Sequence, residues 1–318
     1  MKRVTLGNCG LRVSELVFGT LSMGRLQSQL PPEEGARVIV RGVELGIDCI
    51  DTAQSYATYE HVALALRQLG RDGAGVSIIG KSHAHTAKDM QAAVDEARRM
   101  LNRDVIDGFH MHAITSVKDF EDRRGAFETL VQLKSAGVIR AIGFSVHSLE
   151  GLEPAYNCDE LDMVMPCVNS KGLGIKDGTL DQMLAACRRL QAKGKGVYAM
   201  KPLAGGHLYA SVVESINFVR GLKEVDAVAL GMKNIPELEM NLAVFEDRPV
   251  SEELRAQVHA RARQLLIYPI CEGCGTCLKH CLQDALTLVD GKAVVDMSKC
   301  ILCGYCAEEC PTLSIRVV

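Results

Sequence analysis

Two cysteine runs of identical spacing near the C-terminus constrain the fold of this chain more than any other feature. Eight of its 13 cysteines form two copies of C-x2-C-x2-C-x3-C, and Pro311 directly follows the second copy. This spacing is typical of paired 4Fe-4S clusters, because thiolates two residues apart on a tight turn can converge on one cluster. Zinc ribbons usually use separated C-x2-4-C pairs, and disulfides are rare inside the cell, so iron-sulfur binding is favoured over both. The two runs are Cys271, Cys274, Cys277 and Cys281, then Cys300, Cys303, Cys306 and Cys310.

The segments beside the cysteine runs fit the same interpretation. Residues 285–296 alternate around Asp290-Gly291, a dipeptide suited to a two-residue hairpin turn, and residues 313–318 form another short strand pattern. Residues 268–318 therefore resemble a bacterial-type two-cluster ferredoxin, although Leu282 stands where that family often has proline. In this arrangement the fourth cysteine of each run ligates the other cluster. The resemblance implies one cluster on Cys271, Cys274, Cys277 and Cys310, and a second on Cys281, Cys300, Cys303 and Cys306.

Length and charge narrow the class of protein. A chain of 318 residues can form one large domain and a small one. A net charge of −3 and a pI near 6.3 give no indication of binding to nucleic acid or to an anionic membrane. The start lacks a secretory pattern, and no apolar run is long enough to span a bilayer. We therefore expect a protein of a reducing, oxygen-poor cytoplasm, whose five other cysteines are buried free thiols.

The first 267 residues alternate short apolar runs with longer amphipathic ones. Helical patterns occupy, for example, 87–101, 119–136 and 178–192, with a last one at 251–266. Eight strand-helix units favour a (β/α)8 barrel over an open sheet, and the G-x-G-x-x-G of an open dinucleotide fold is absent after the first strand. We predict an α/β chain with a TIM barrel in residues 1–267 and a small ferredoxin-type domain in 268–318. The predicted buried parallel strands are 16–19, 47–51, 76–80, 106–112, 139–145, 163–168, 197–200 and 227–231.

Polar residues follow several of these strands, at the end of a barrel where catalytic sites lie. The second strand leads into Asp51-Thr-Ala-Gln-Ser-Tyr56-Ala-Thr-Tyr-Glu60, the third into Lys81, and the fourth reaches His112. This order resembles the aldo-keto reductase superfamily, whose signature is D-T-A-x-x-Y-x-x-x-E, then a lysine, then D-x-x-x-x-H. The resemblance covers residues 1 to about 247 and implies hydride transfer between NAD(P)H and an aldehyde or ketone.

Reduction of a carbonyl needs a hydride on carbon and a proton on oxygen. A tyrosine of ordinary pKa, about 10, is a weak acid at neutral pH, and a nearby ammonium would lower that pKa. By resemblance, Tyr56 is the general acid, Lys81 lowers its pKa, Asp51 holds Lys81, and His112 orients the substrate oxygen. Other residues compete for these roles: Tyr59 as the acid, and His110, which is on the same strand face as His112 but deeper. The remaining histidines at this end are pocket or loop residues: His83, His85 and His147.

The resemblance is weaker among the cofactor residues. Val146 stands where the family has asparagine, Met165 where it has glutamine, and Met200 where it has a stacking tyrosine. Glu237 stands where an arginine often binds the 2′-phosphate of NADP, so we expect a weaker preference for NADP than the family norm, with NAD as the alternative. The candidate cofactor-binding residues are Gly19, Thr20, Ser145, Asn169, Lys201, Gly231, Lys233, Glu237 and Asn241.

Hydride transfer moves two electrons, whereas each cluster carries one, so direct exchange needs a flavin or a radical intermediate. The sequence has no flavin fingerprint. We expect a nicotinamide-dependent reductase for a small carbonyl or alcohol, whose clusters are structural, regulatory, or an entry for electrons from a redox partner protein. The alternative is an electron-transfer protein whose barrel binds a small ligand without hydride chemistry. A metal-dependent hydrolase, suggested by His83-x-His85 and His110-x-His112, is disfavoured because such enzymes usually place that motif on the first strand.

Overall fold

A closed barrel of eight parallel strands forms the large unit of the chain; neighbouring strands follow one another in chain order, and the last strand pairs with the first. The computed structural model describes residues 1–259, 264–312 and 314–317. An N-terminal antiparallel hairpin, β1 (Arg3–Thr5) and β2 (Arg12–Ser14), precedes the barrel. The predicted (β/α)8 fold is confirmed, and the first and last barrel strands have the predicted bounds. The barrel strands are β3 (Leu16–Gly19), β4 (Cys49–Asp51), β5 (Ser77–Ser82), β6 (Ile106–Ile114), β7 (Ile139–Val146), β8 (Met163–Pro166), β9 (Gly196–Met200) and β10 (Ala227–Gly231).

The helices between the strands pack their apolar faces against the barrel. Helix α4 has its predicted bounds, because Thr86 Oγ1 accepts a hydrogen bond from the Asp89 N–H at one end and Asn102 adopts a left-handed conformation at the other. In the described part of the chain, no helix is long and apolar enough to cross a membrane. The helices are α1 (Pro32–Glu44), α2 (Tyr59–Leu69), α3 (Arg71–Ala74), α4 (Ala87–Leu101), α5 (Val117–Asp122), α6 (Arg124–Ser135), α7 (Leu180–Gln191), α8 (Val212–Arg220), α9 (Ile235–Phe245) and α10 (Glu252–His259).

The single helix predicted at 119–136 is instead two helices, α5 and α6, which meet at Arg123. The Arg123 side chain is buried, and its guanidinium donates hydrogen bonds to the carbonyls of Ser82, Ala84 and His112 at 3.1–3.3 Å. These carbonyls lie at or beside the ends of β5 and β6. The helix breaks there because the side chain is anchored to the barrel.

The C-terminal unit contains two short antiparallel pairs, β11 (Leu265–Ile267) with β14 (Ile315–Val317) and β12 (Leu286–Val289) with β13 (Lys292–Val295). Asp290 and Gly291 both have positive φ, as a type I′ hairpin turn requires. The helix predicted over 251–266 is wrong at its end, since residues 265–267 form β11 and pair within the C-terminal unit. Residues 260–263 lie outside the described residues, as do 313 and 318 of the predicted last strand. Two short helices, α11 (Thr276–Lys279) and α12 (Tyr305–Glu308), lie within the first and the second cysteine run.

The second cysteine loop, residues 300–306, docks on the C-terminal end of the barrel strands. Gln27 Nε2 donates a hydrogen bond to the Leu302 carbonyl at 3.1 Å, and the His207 ring contacts the Cys300 carbonyl. Backbone also meets backbone: a Cβ atom on Gly205 would lie 1.8 Å from the Ile301 carbonyl oxygen. A Cβ atom on Gly304 would likewise lie 2.0 Å from the carbonyl oxygen of Leu26. Glycine is therefore required on both sides of this interface.

A methyl group at position 205 should loosen the docked loop. We expect Gly205→Ala to lose about 1–3 kcal/mol of stability more than Gly137→Ala, because only the first collides with backbone. Both glycines have nearly the same positive φ (+72° and +73°), but a Cβ atom on Gly137 meets nothing within 4 Å. Anaerobic urea unfolding of the cluster-loaded chain measures the difference, and equal losses in the two variants would contradict the interface.

Candidate active site and cluster-binding sites

A buried ion pair lies at the C-terminal end of the barrel strands. Lys81 Nζ donates hydrogen bonds to Asp51 Oδ1 at 2.6 Å and to the Thr52 carbonyl at 2.8 Å, while Tyr198 Oη donates to Asp51 Oδ2 at 3.1 Å. Burial lowers the pKa of Lys81 and raises the pKa of Asp51, and in each case the partner's charge opposes the shift. Removal of one partner would leave an uncompensated buried charge, so each holds the other in place.

Tyr56 lies on a short turn after β4, with Lys81 Nζ 5.1 Å from its ring centre. Burial raises the pKa of Tyr56 well above its ordinary value, and Tyr305 and Asp51 add to the increase. The pKa of Tyr56 is therefore shifted in the opposite direction to the predicted lowering by Lys81. Asp51 balances the Lys81 charge, and the phenol is only 6% exposed. Tyr56 consequently carries its proton at neutral pH, which is the state that a general acid requires.

His112 lies beside Tyr56, with the ring centres 5.6 Å apart. It follows Met111 in β6, where the register with β7 shifts, and such a bulge re-aims side chains. The His83 ring stacks on it at 4.1 Å. Burial, reinforced by the nearby charges of His83 and Lys81, holds the pKa of His112 well below its usual range, so the ring is neutral. His110 lies deeper, 3.3 Å from Tyr198 Oη, and does not line the cleft in front of Tyr56.

Two tyrosines near this group were missed by sequence reasoning. Tyr198 was predicted only as part of a buried strand, yet it bonds Asp51 and His110. Tyr305 lies between two cysteines of the second run, and its hydroxyl is 3.0 Å from His112 Nε2. The hydroxyl group of a tyrosine on an otherwise apolar barrel strand could have indicated Tyr198. No spacing in the sequence relates Tyr305 to His112, which is 193 positions away.

A cleft of about 1300 Å³, including its open mouth, runs from Tyr56 and His112 to the start of α9. Two candidate cofactor residues, Thr20 and Asn169, do not line it, because both are fully buried in other contacts. The Thr20 hydroxyl hydrogen-bonds the Thr58 hydroxyl at 2.8 Å, and Asn169 bonds the backbone of Leu173. The candidates that do line the cleft are Gly19, Ser145, Lys201, Gly231, Lys233, Glu237 and Asn241.

The far end of the cleft carries the charges most relevant to a dinucleotide phosphate. Asn234 caps α9 by accepting a hydrogen bond from the Glu237 N–H at 2.8 Å. Glu237 Oε2 in turn accepts one from the backbone N–H of Lys233 at 2.9 Å. The carboxylate of Glu237 and the ammonium of Lys233 therefore belong to the same short turn, at a helix N-terminus that favours anions.

The cysteines form two sets that mix the two runs. Backbone N–H groups donate to three of the sulfurs: Ala293 to Cys271 at 3.4 Å, Ala285 to Cys281 at 3.3 Å and Ser314 to Cys310 at 3.3 Å. Sulfurs that bind iron in a cluster accept hydrogen bonds of this kind, so both sets fit the chemistry of a 4Fe-4S cluster. One cavity, of about 270 Å³, is lined by Cys271, Cys274, Cys277 and Cys310, and another, of about 330 Å³, by Cys281, Cys300, Cys303 and Cys306.

The two cysteine cavities differ in their surroundings. Cys274 of the first set is exposed, whereas the loop of the second set lies on the barrel. Burial raises the pKa of Cys303, and the charge of Lys201, which lines the cleft, opposes the increase. Within residues 1–259, 264–312 and 314–317, no three His, Cys, Asp or Glu side chains are arranged to hold a single metal ion.

Comparison with known proteins agrees with this geometry. Residues 15–229 match the model of the aldo/keto reductase family. The chain belongs to the aldo/keto reductase family. Residues 265–311 match the model of a 4Fe-4S dicluster domain. This aldo-keto reductase is therefore an oxidoreductase with a C-terminal iron-sulfur domain.

Individual relatives are distant. L-galactose dehydrogenase from Arabidopsis thaliana is 23% identical over 306 residues, which cover 80% of this chain and 92% of that protein. Methylglyoxal reductase DkgA from Escherichia coli is 26% identical over 183 residues, 54% of this chain and 64% of the reductase. Among solved structures, an aldo-keto reductase from Pseudomonas aeruginosa aligns with a TM-score of 0.65 and 26% identity, over 77% of this chain and 94% of that one. The holo form of one from Bacillus halodurans shares the fold, with a TM-score of 0.64 and 21% identity over 82% and 96% of the two chains.

Paired cysteine substitutions can distinguish mixed from unmixed ligand sets. If each cluster takes its fourth ligand from the other run, Cys281→Ala with Cys303→Ala removes two ligands of one cluster. That variant should keep about half of the iron, or about four irons per chain. Cys277→Ala with Cys281→Ala should disturb both clusters. Iron analysis and electron paramagnetic resonance of the reduced proteins measure this, and the inverse pattern would show that each run holds its own cluster.

Proposed function

We propose that this protein is an NAD(P)H-dependent reductase of small aldehydes or ketones that works in a reducing cytoplasm and carries two 4Fe-4S clusters. The observation that carries this proposal is the meeting of Asp51, Lys81, Tyr56 and His112 at the inner end of one large cleft. They come from three neighbouring strands: Asp51 and Tyr56 from the end of β4 and the turn after it, Lys81 from β5 and His112 from β6. The arrangement matches what proton delivery to a carbonyl oxygen requires.

In this proposal Tyr56 donates the proton and His112 orients the oxygen. Because burial keeps Tyr56 protonated and His112 neutral, both side chains can offer a hydrogen to the same acceptor. Lys81, 5.1 Å from the Tyr56 ring, then stabilises the phenolate that proton donation leaves. NAD(P)H, when bound, would supply the hydride.

The cleft offers groups for both ends of a dinucleotide. Gly19, Ser145, Lys201 and Gly231 line the cleft at or just after the ends of barrel strands, whereas Asn241 and the turn of Lys233 and Glu237 belong to α9 and its start. Thr20 and Asn169 are left out of the proposed set because they do not reach the cleft. The Glu237 carboxylate would repel a 2′-phosphate and could accept hydrogen bonds from ribose hydroxyls. This supports a weaker preference for NADP than the family norm, with NAD as the alternative cofactor.

A second candidate function is electron transfer by the clusters, with a barrel that only binds a ligand. The docking of the second cysteine loop beside the cleft favours it, as do Val146, Met165 and Met200 in place of the usual cofactor residues. Exposed apolar side chains beside the first cysteine set, Ile270 and Leu288, could receive a redox partner protein. Reversible cluster reduction in a chain that binds neither nicotinamide would favour this function over the first.

Loss of the Tyr56 hydroxyl should abolish carbonyl reduction. We expect Tyr56→Phe to lower carbonyl-dependent oxidation of NAD(P)H by about 10²- to 10⁴-fold, the usual contribution of a general acid. Tyr59→Phe is the matched control, because Tyr59 is buried nearby and its hydroxyl has no hydrogen-bond partner among the described residues. Anaerobic assays with a panel of aldehydes and ketones measure the rates. Equal activity of the two variants, or no carbonyl-dependent turnover at all, would contradict the proposal.

Neutralisation of Glu237 should favour the phosphorylated cofactor. We expect Glu237→Gln to tighten NADPH binding relative to NADH by about tenfold, which corresponds to about 1.4 kcal/mol. The amide oxygen can still accept the Lys233 N–H, so the turn should persist. Glu214→Gln, on an exposed part of α8, is the control. The interpretation fails if wild-type protein already binds NADPH a hundredfold tighter than NADH, or if both affinities change equally.

A further inference from the structure

The second cysteine loop brings one of its own side chains into the barrel site. The Tyr305 hydroxyl lies 3.0 Å from His112 Nε2, and Tyr305 packs against the small apolar cluster that contains Tyr56. Its ring packs against Leu26 and Ala53, beside Tyr56. Tyr305 thus contacts both residues that the proposed mechanism uses to bind and protonate an oxygen.

The position of Tyr305 is fixed by the backbone on either side of it. Gly304, the preceding residue, touches the Leu26 carbonyl too closely for any side chain. Leu302, three positions earlier, is 1% exposed and bonded to Gln27. The phenol therefore projects from an anchored loop and not from a loose surface segment.

A carbonyl oxygen that His112 orients must take the hydrogen-bonding position on His112 Nε2, beside Tyr56. In this structure the Tyr305 hydroxyl holds that position. A carbonyl oxygen can take the position only by displacing the hydroxyl, which would then lose its His112 partner. An unpaired polar group in such a place is costly, so a substrate that supplies a new partner has an advantage.

We propose that Tyr305 is a specificity-determining residue of the reductase site, which selects carbonyl compounds that carry a hydroxyl or oxo group on the neighbouring carbon. The second oxygen of such a compound lies within hydrogen-bonding reach of the first, where it can bond the displaced Tyr305 hydroxyl. A simple alkyl aldehyde cannot restore that bond. Sites built around a hydrogen bond to substrate reject analogues that lack the group. This inference rests on the proposed reductase function.

Two aldehydes that differ by one hydroxyl group test the inference. Propanal and 2-hydroxypropanal are compared as substrates of the cluster-loaded wild-type protein, Tyr305→Phe and Tyr268→Phe. Tyr305→Phe keeps the ring and removes only the hydroxyl. Tyr268→Phe makes the same change on the exposed surface of the iron-sulfur unit. Visible absorption and iron content confirm that all three proteins hold their clusters.

We expect wild-type kcat/KM to favour 2-hydroxypropanal by tenfold or more, and Tyr305→Phe to reduce that preference at least tenfold while activity on propanal rises. Tyr268→Phe should keep the wild-type ratio. A ratio unchanged in Tyr305→Phe, or equal losses on both aldehydes, overturns the role of Tyr305 but leaves the reductase function standing. Absence of turnover with both aldehydes in all three proteins contradicts the reductase function and this inference together.

Discussion

The backbone contact between the second cysteine loop and the mouth of the barrel determines how the two halves of this protein are related. Gly205 against the Ile301 carbonyl and Gly304 against the Leu26 carbonyl leave no space for side chains. A unit held in this way cannot swing freely on a linker. The iron-sulfur domain is therefore a wall of the cleft, and Tyr305 gives that wall a polar group beside His112.

Burial, more than charge, sets the protonation states in the site. Desolvation is the main cause that raises the pKa of Tyr56 and lowers the pKa of His112, and nearby groups such as Tyr305 and Asp51 for Tyr56, and His83 and Lys81 for His112, add to these shifts. A protonated phenol and a neutral imidazole are the forms that can both donate to a carbonyl oxygen. In the proposed mechanism the lysine matters most after proton transfer, when a phenolate would lie beside it.

Patterns that act locally could be predicted from the sequence. The strands at 16–19 and 227–231 and the helix at 87–101 follow from hydrophobic period and capping residues. The barrel follows from their alternation, and the Asp51, Tyr56, Lys81 and His112 group from motif order. Features that depend on distant contacts could not be predicted: the helix break at Arg123, the inward burial of Thr20 and Asn169, and the raised pKa of Tyr56. Tyr305 is the clearest case, because backbone approaches at two glycines bring it to His112.

Backbone hydrogen exchange most directly tests the claim that the two units form one site. In the cluster-loaded chain, amides at 203–206 of the barrel and 301–305 of the cysteine loop should exchange slowly. Removal of the clusters should accelerate both segments together, while amides of β3 and β10 stay protected. Slow exchange at 203–206 that is the same with and without clusters, or fast exchange at 301–305 in the loaded protein, would show that the iron-sulfur domain is not a wall of the cleft.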